Sequence, residues 1–163
     1  MAVTINVDAS EVISRFGVFG IPEQVRKNLR MTIPSVMRNL SAEIDSNLSA
    51  LKSRKRVQIK GGPQGQMIEN ARQVVGRAEM IWTGDPSASM VPQVLESGAR
   101  PHVIAARNAN SLAFMWPAVG GMAFFKKVNH PGFPGIRYMQ NAFNSMRSEI
   151  TSEIERAVMD GTK

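Results

Sequence analysis

LESGARPHVIAARNANSLAFMWPAVGGMAFFKKVNHPGFPGIRYMQNAFNSMR, residues 95–147, is the stretch whose reading decides the fold. It holds both histidines and seven of the ten aromatic side chains, together with dense turn chemistry. Val103 and Ile104 open a strand, and Asn108-Ala109-Asn110 reads as a turn. Leu112, Phe114 and Trp116 alternate, the period of a strand with one buried face. Residues 117–121 make a second turn and residues 122–128 the return strand, which gives a β-meander. Asn129-His130-Pro131-Gly132 ends the sheet. Beyond the extended link at Pro134 and Gly135, Met139, Phe143, Met146, Ile150, Ile154 and Val158 recur at helical spacing. They predict an amphipathic C-terminal helix to about Met159, with Gln140, Asn141, Ser145 and Glu149 outward.

Working back toward the N-terminus, residues 87–97 suit a short helix capped by Ser89 and stopped by Gly98. Residues 67–82 favour strand, either as one run or as two short strands broken at Gly76. Upstream, Val25, Leu29, Ile33, Val36, Leu40, Ile44, Leu48 and Leu51 step by three and four, one apolar stripe of a long helix that starts after Pro22. Pro34 lies inside it, which predicts a bent helix or two short ones meeting near Thr32. Arg26, Lys27, Arg30 and Arg38 fall off the stripe and are expected to face water or a partner. Val3, Ile5 and Val7 alternate as a short strand. Asp8 or Ser10 suits the cap of a short helix through Ser14, and Phe16 and Phe19 follow as core plugs or a docking patch. The expected fold class is α+β: a small antiparallel meander packed against a long bent N-terminal helix and a C-terminal helix, in a single domain over residues 1–163.

The formal net charge is +7. Residues 22–60 carry nine Lys or Arg against three Asp or Glu, and residues 101–135 carry Arg107, Lys126 and Lys127 with no carboxylate. The sharpest run is KSRKRVQIKGGPQGQ, residues 52–66. Its glycines and Pro63 predict a mobile basic loop or hairpin arm, with Lys52, Arg54, Lys55, Arg56 and Lys60 available to a partner protein or a phosphate backbone. It lacks the GxxxxGK[ST] spacing of a phosphate-binding loop, and no aromatics are interleaved for base stacking.

The sequence offers no catalytic constellation. Cysteine is absent, which removes thiol nucleophiles, disulfides and cysteine-ligated metal. His102 and His130 are 28 residues apart, and Glu96 is the only acidic residue near them, too few for a zinc site. No GxSxG elbow appears. The expectation is no enzyme, no cofactor and no metal, with both histidines fastening strand ends through hydrogen bonds in turns. No run of 18 or more apolar residues suggests a membrane span, and MAVTINVDAS does not read as a secretory signal.

Two blocks carry a resemblance. Residues 95–104, Leu95-Glu96-Ser97-Gly98-Ala99-Arg100-Pro101-His102-Val103-Ile104, resemble a V-E-x-G-T-x-P-H-x-I segment, with Ala99 where threonine is usual. Phe124 or Phe125, Val128, His130, Pro131, Gly132, Gly135, Tyr138 or Met139, and Ala142 resemble the pattern F-x-x-x-V-x-H-P-G-x-x-P-x-x-F-x-x-x-A. Both patterns belong to the tail-completion, or head–tail joining, neck proteins of long-tailed bacteriophages, the minor tail protein Z type. A T-G-x-L-R-x-S-I segment usual after the first helix is not clearly present near residues 66–71. The proline usual before the last helix is replaced by Phe133-Pro134-Gly135-Ile136.

The resemblance implies a structural virion protein, assembled in the host cytoplasm into a ring at the head-proximal end of the tail. It favours a hexamer, with a dodecamer as the variant. The implied partners are head-completion or connector proteins, tail terminator or tail tube proteins, and transiently the packaged DNA, with no membrane. Glu96, Gly98, Pro101, His102, His130, Pro131 and Gly132 are then structural motif residues. Charge alone supports a different class, a sequence-independent nucleic-acid-binding module, and a tail-terminator role is the near neighbour of the first reading.

Overall fold

The computed structural model describes residues 4–8, 21–55, 61–70, 73–84, 86 and 89–162. It is an α+β chain of two compact units, where a single domain is the expectation from the sequence. Met1–Glu96 with Arg137–Lys163 forms one unit, and Ser97–Ile136 forms the other.

The first unit is built on helix α1 (Glu23–Lys55). Val25, Leu29, Ile33, Val36, Met37, Leu40, Ile44 and Leu48 are all essentially fully buried, so the predicted stripe is the core, with Met37 added. The side chain of Leu51 lies outside the described residues. Helix α1 is one element through Pro34, not two short helices. A mid-helix proline costs ~3 kcal/mol, whereas each large apolar side chain taken from water contributes about 1.5–3 kcal/mol. Eight such side chains in one register outweigh the break.

Strands β1 (Thr4–Asp8), β2 (Gly61–Asn70) and β3 (Gln73–Trp82) form an antiparallel sheet in the order β1-β3-β2. β3 is continuous through Gly76, so the strand reading holds there and the alternative break at Gly76 is absent. Its buried positions Val74, Gly76, Ala78 and Met80 alternate and face α1. The break is absent because Gly76 is needed for close approach: a Cβ there would stand 2.8 Å from the Met37 sulfur and 3.1 Å from Ile33 Cγ2. Gly65, paired with Ala78 on the neighbouring strand, is tighter still, with a would-be Cβ 2.6 Å from Met37 Cβ. Three small residues thus make the shelf on which Met37 rests.

Helix α2 (Val91–Ser97) is short and ends at Gly98, whose φ of 83° lies in the left-handed region. Helix α3 (Tyr138–Asp160) runs antiparallel to α1. Asn28 Nδ2 donates to the Ala157 carbonyl oxygen at 3.0 Å, and Asn47 Nδ2 to that of Tyr138 at 3.3 Å. Tyr138, Met139, Ala142, Ile150, Ile154, Ala157 and Val158 are its buried face. The outward positions Gln140, Asn141, Ser145 and Glu149 are exposed.

The basic run at residues 52–66, expected as a mobile loop or a hairpin arm, is helix to Lys55 and, from Gly61, the first strand of the β2–β3 hairpin. Lys52, Arg54 and Lys55 fall within α1, which ends at Lys55. From Gly61 the chain is β2, and Pro63 is accommodated because β2 is an edge strand. Arg56 and Lys60 lie outside the described residues, as do the proposed cap at Ser10, Ser14, Phe16 and Phe19.

A candidate interaction arm

The second unit is one long β-ribbon rather than a meander. Short strands β4 (Gly98–Ala99) and β9 (Phe133–Pro134) pair at its base. β5 (His102–Ala105) pairs with β8 (Lys127–His130), and β6 (Leu112–Trp116) with β7 (Gly121–Phe125). A meander would pair β5 with β6. Instead, residue numbers of partners sum to 232 in the first two ladders (98 and 134, 102 and 130) and to 237 in the last (112 and 125). The difference, five residues, is an excursion in one strand. It follows Ala106, whose N–H donates to the Lys126 carbonyl oxygen at 3.4 Å. The Asn-rich segment after Ala106 is therefore a large bulge and not a chain reversal. The reversal is the 3-10 turn Pro117–Val119, closed by Gly120 at φ 67°.

The motif residues gather at the base. Gly98 and Gly132 both have positive φ. A Cβ on Gly98 would stand 2.5 Å from the Phe133 carbonyl oxygen, and one on Gly132 would land on the Ala99 carbonyl oxygen. Both positions demand glycine for conformation and for space. Pro101 and Pro131 are exposed beside them. His102 and His130 are direct cross-strand partners, with ring centroids 5.0 Å apart. His102 Nδ1 donates to the Arg100 carbonyl oxygen at 2.8 Å. His130 Nδ1 accepts the Gly132 N–H at 3.0 Å, which puts its own proton on Nε2. Among the described residues no group of three His, Asp or Glu side chains gathers here or elsewhere.

Glu96 acts in the first unit. Its Oε2 accepts the Met139 N–H at 2.9 Å, its Oε1 the Gln140 N–H at 3.0 Å, and its carbonyl oxygen the Arg137 N–H at 3.2 Å. Arg137, the residue at the N-cap position, is left-handed at φ 55° and makes no side-chain cap. A carboxylate carried by α2 therefore caps α3 from outside. Burial, and then the charge of Glu96, push the Tyr138 hydroxyl well above its ordinary range. That hydroxyl reaches the Pro92 carbonyl oxygen at 3.4 Å.

The far half of the ribbon is apolar on both faces. Leu112, Phe114, Trp116 and Phe125 share one face, where Phe114 and Phe125 lie 5.8 Å apart and Trp116 and Phe125 5.3 Å. The other face carries Met115, Met122 and Phe124, which are 69%, 53% and 66% exposed. Phe114 and Trp116 are also exposed, as is Val119 at the tip, so β6 lacks the buried face its alternation suggested. Among the described residues no third strand joins this ribbon. Residues 108–125 contain no charged side chain, and the unit's cations, Arg100, Arg107, Lys126 and Lys127, lie toward its base with no Asp or Glu.

Of the helix cations expected to face water or a partner, two are engaged within the first unit. Glu69 accepts Arg26 Nη1 at 2.9 Å and Arg30 Nε at 2.8 Å. Hydrogen bonds from Arg30 and then Arg26 hold the Glu69 carboxyl below its ordinary value.

No family model, curated protein or solved structure matches the chain. Among the described residues no helix is long and apolar enough to cross a membrane.

Proposed function

We propose that this chain is a structural subunit of the phage neck, assembling into a homo-oligomeric ring at the head-proximal end of the tail that joins tail to head and lets the genome pass. The observation that carries this reading is the ribbon. A two-stranded hairpin is marginal by itself in water. This one exposes large apolar side chains on both faces of its outer half, an excess typical of a surface covered in an assembly. Ring subunits need unlike faces that meet head to tail until the rotation closes, and an arm on one unit with a helical face on the other meets that requirement. The histidine and glycine motifs hold the arm's base in register, a structural role that needs no substrate, cofactor or metal.

The sequence-independent nucleic-acid-binding alternative rests on net charge and on the cationic run at residues 52–60. The outer ribbon, uncharged over residues 108–125, adds nothing to it, because affinity for duplex DNA comes from cations set against phosphates. The function is tested by reconstitution. Tails made without this protein should fail to join filled heads, and adding the purified chain should restore joined particles visible by electron microscopy. Tails that join heads equally well without it would refute the reading.

A further inference from the structure

We propose that the cross-strand pair His102 and His130 is a pH-sensitive latch at the base of the ribbon, shut while both rings are neutral and opened when they take up protons. The latch is a property of the second unit alone and holds whatever the ribbon docks against.

The two histidines face each other in the β5–β8 ladder, with ring centroids 5.0 Å apart. Their Nδ1 atoms have opposite duties. His102 Nδ1 donates to the Arg100 carbonyl oxygen at 2.8 Å, a bond that survives protonation of the ring. His130 Nδ1 accepts the Gly132 N–H at 3.0 Å, and a proton on that nitrogen turns the acceptor into a donor. The Gly132 N–H then meets another N–H. Gly132 has little room to turn away. Its φ is 76°, and a Cβ there would land on the Ala99 carbonyl oxygen, so its backbone is already packed against Ala99. Proton uptake at His130 therefore breaks the bond that fixes the turn between β8 and β9.

A charge on both rings adds a second force, because like charges directly opposite in a sheet destabilise the pairing. Ile104 and Val128, the next pair on the same face of the ladder, are apolar and offer no counterion. Among the described residues β5 and β8 pair only with each other. The charged side chains of residues 97–136 are Arg100, Arg107, Lys126 and Lys127, all exposed and all cations. Glu96, the nearest carboxylate in sequence, has its oxygens on the Met139 and Gln140 amides. Nothing in the unit balances a charged imidazole, whereas strands that part give both rings to water. Opening takes up protons, and falling pH favours the state that binds more of them. Histidine is the side chain whose ordinary charge change falls between pH 5 and 8, so the latch works where Asp and Glu side chains ordinarily stay ionised.

Nitrogen-15 NMR of the full chain from pH 8 to pH 5 tests this. At pH 8 the imidazole signals should place the proton on Nδ1 of His102 and on Nε2 of His130. On acidification, protection of the Gly132 amide, taken relative to its intrinsic exchange rate, should fall by about two- to tenfold, the worth of one hydrogen bond. Amides of α1 should keep their protection over the same range. His130→Asn puts an amide oxygen where Nδ1 stands and cannot titrate, so its Gly132 protection should not depend on pH. A native protein with the same Gly132 protection at both ends of the range would overturn the latch. So would a His130→Asn protein as pH-dependent as the native one. If that variant misfolds, the native spectrum decides alone: a His130 ring that gains its second proton with no change at Gly132 refutes the proposal.

Discussion

Glu96 and Met139 are joined by a 2.9 Å hydrogen bond from the Met139 backbone N–H to the Glu96 carboxylate, a helix cap supplied by a residue 43 positions earlier in the chain. Helix N-termini leave four N–H groups unpaired, and here Arg137, at the N-cap position, makes no side-chain cap. Replacing Glu96 with Ala should therefore cost about 1–2 kcal/mol, the usual worth of an N-cap. Glu96→Gln should recover part of it, retaining one acceptor and losing the charge–dipole attraction. Equilibrium urea unfolding of the three proteins checks the order native, Gln, Ala.

The Met37 shelf yields a graded set of glycine substitutions. Gly65→Ala should be the costliest, about 1–3 kcal/mol for overpacking, because its Cβ meets Met37 Cβ and the Met37 backbone oxygen, 2.6 and 2.9 Å away. Gly76→Ala should cost less, since it meets chiefly the movable thioether. Gly62→Ala, with nothing within 4 Å, should stay within about 0.5 kcal/mol of native. Thermal unfolding with a Gly76→Ala, Met37→Ala double-mutant cycle would show coupling if the sulfur is the obstacle.

Glu69 makes an acid-sensitive contribution. Its carboxyl is held below the ordinary value near 4.5 by hydrogen bonds from Arg30 and Arg26. A depressed carboxylate stabilises the fold fully above its unfolded value, and that stabilisation is lost as pH falls through the folded one. The native protein should thus lose stability on acidification through and below pH 4.5, and Glu69→Gln should flatten that part of the curve. Urea midpoints measured from pH 6 to 3 decide it, and parallel curves for the two proteins would refute it.

His130→Ala should loosen the base of the ribbon and lower its stability without affecting any chemistry. The Gly132 N–H loses its acceptor at 3.0 Å, and a hydrogen bond of this kind is worth about 0.5–1.5 kcal/mol. Amide exchange at Gly132 should rise by about two- to tenfold, while amides of α1 keep their native protection.

Much of the first unit is legible in the sequence because its signals are local. The three- and four-residue steps from Val25 to Leu48 and from Met139 to Val158 identify two helices. The first stripe is buried with Met37 added; in the second Met139, Ile150, Ile154 and Val158 are buried with Tyr138, Ala142 and Ala157, while Phe143 and Met146 are half-buried. Gly98 ends α2 as its conformation requires. Gly76 misleads for a physical reason: a glycine inside a strand marks a break or a close approach, and only the position of Met37 selects the second. In the run at residues 52–66 the hairpin reading holds from Gly61, while the loop reading fails before Lys55 because a cationic sequence suits a helix C-terminus as well as a loop.

The ribbon was harder to read, since strand pairing is non-local and Asn108-Ala109-Asn110 has the chemistry of a reversal while serving as a bulge. A signal for its exposure was nevertheless present. From Leu112 to Trp116 and from Gly121 to Phe125 both phases of the alternation are apolar, which no strand with one face in water should show. Glu96 stands within a motif, yet its partners, the amides of Met139 and Gln140, carry no side-chain signature in the sequence.

Self-assembly of this chain is read from the mass of the purified protein in solution. Native mass spectrometry should find a closed species at six or twelve times the 17.9 kDa subunit, with no ladder of intermediate sizes at saturating concentration. A monomer at every concentration up to about 100 μM, far above the dissociation constants of specific stable interfaces, would contradict it.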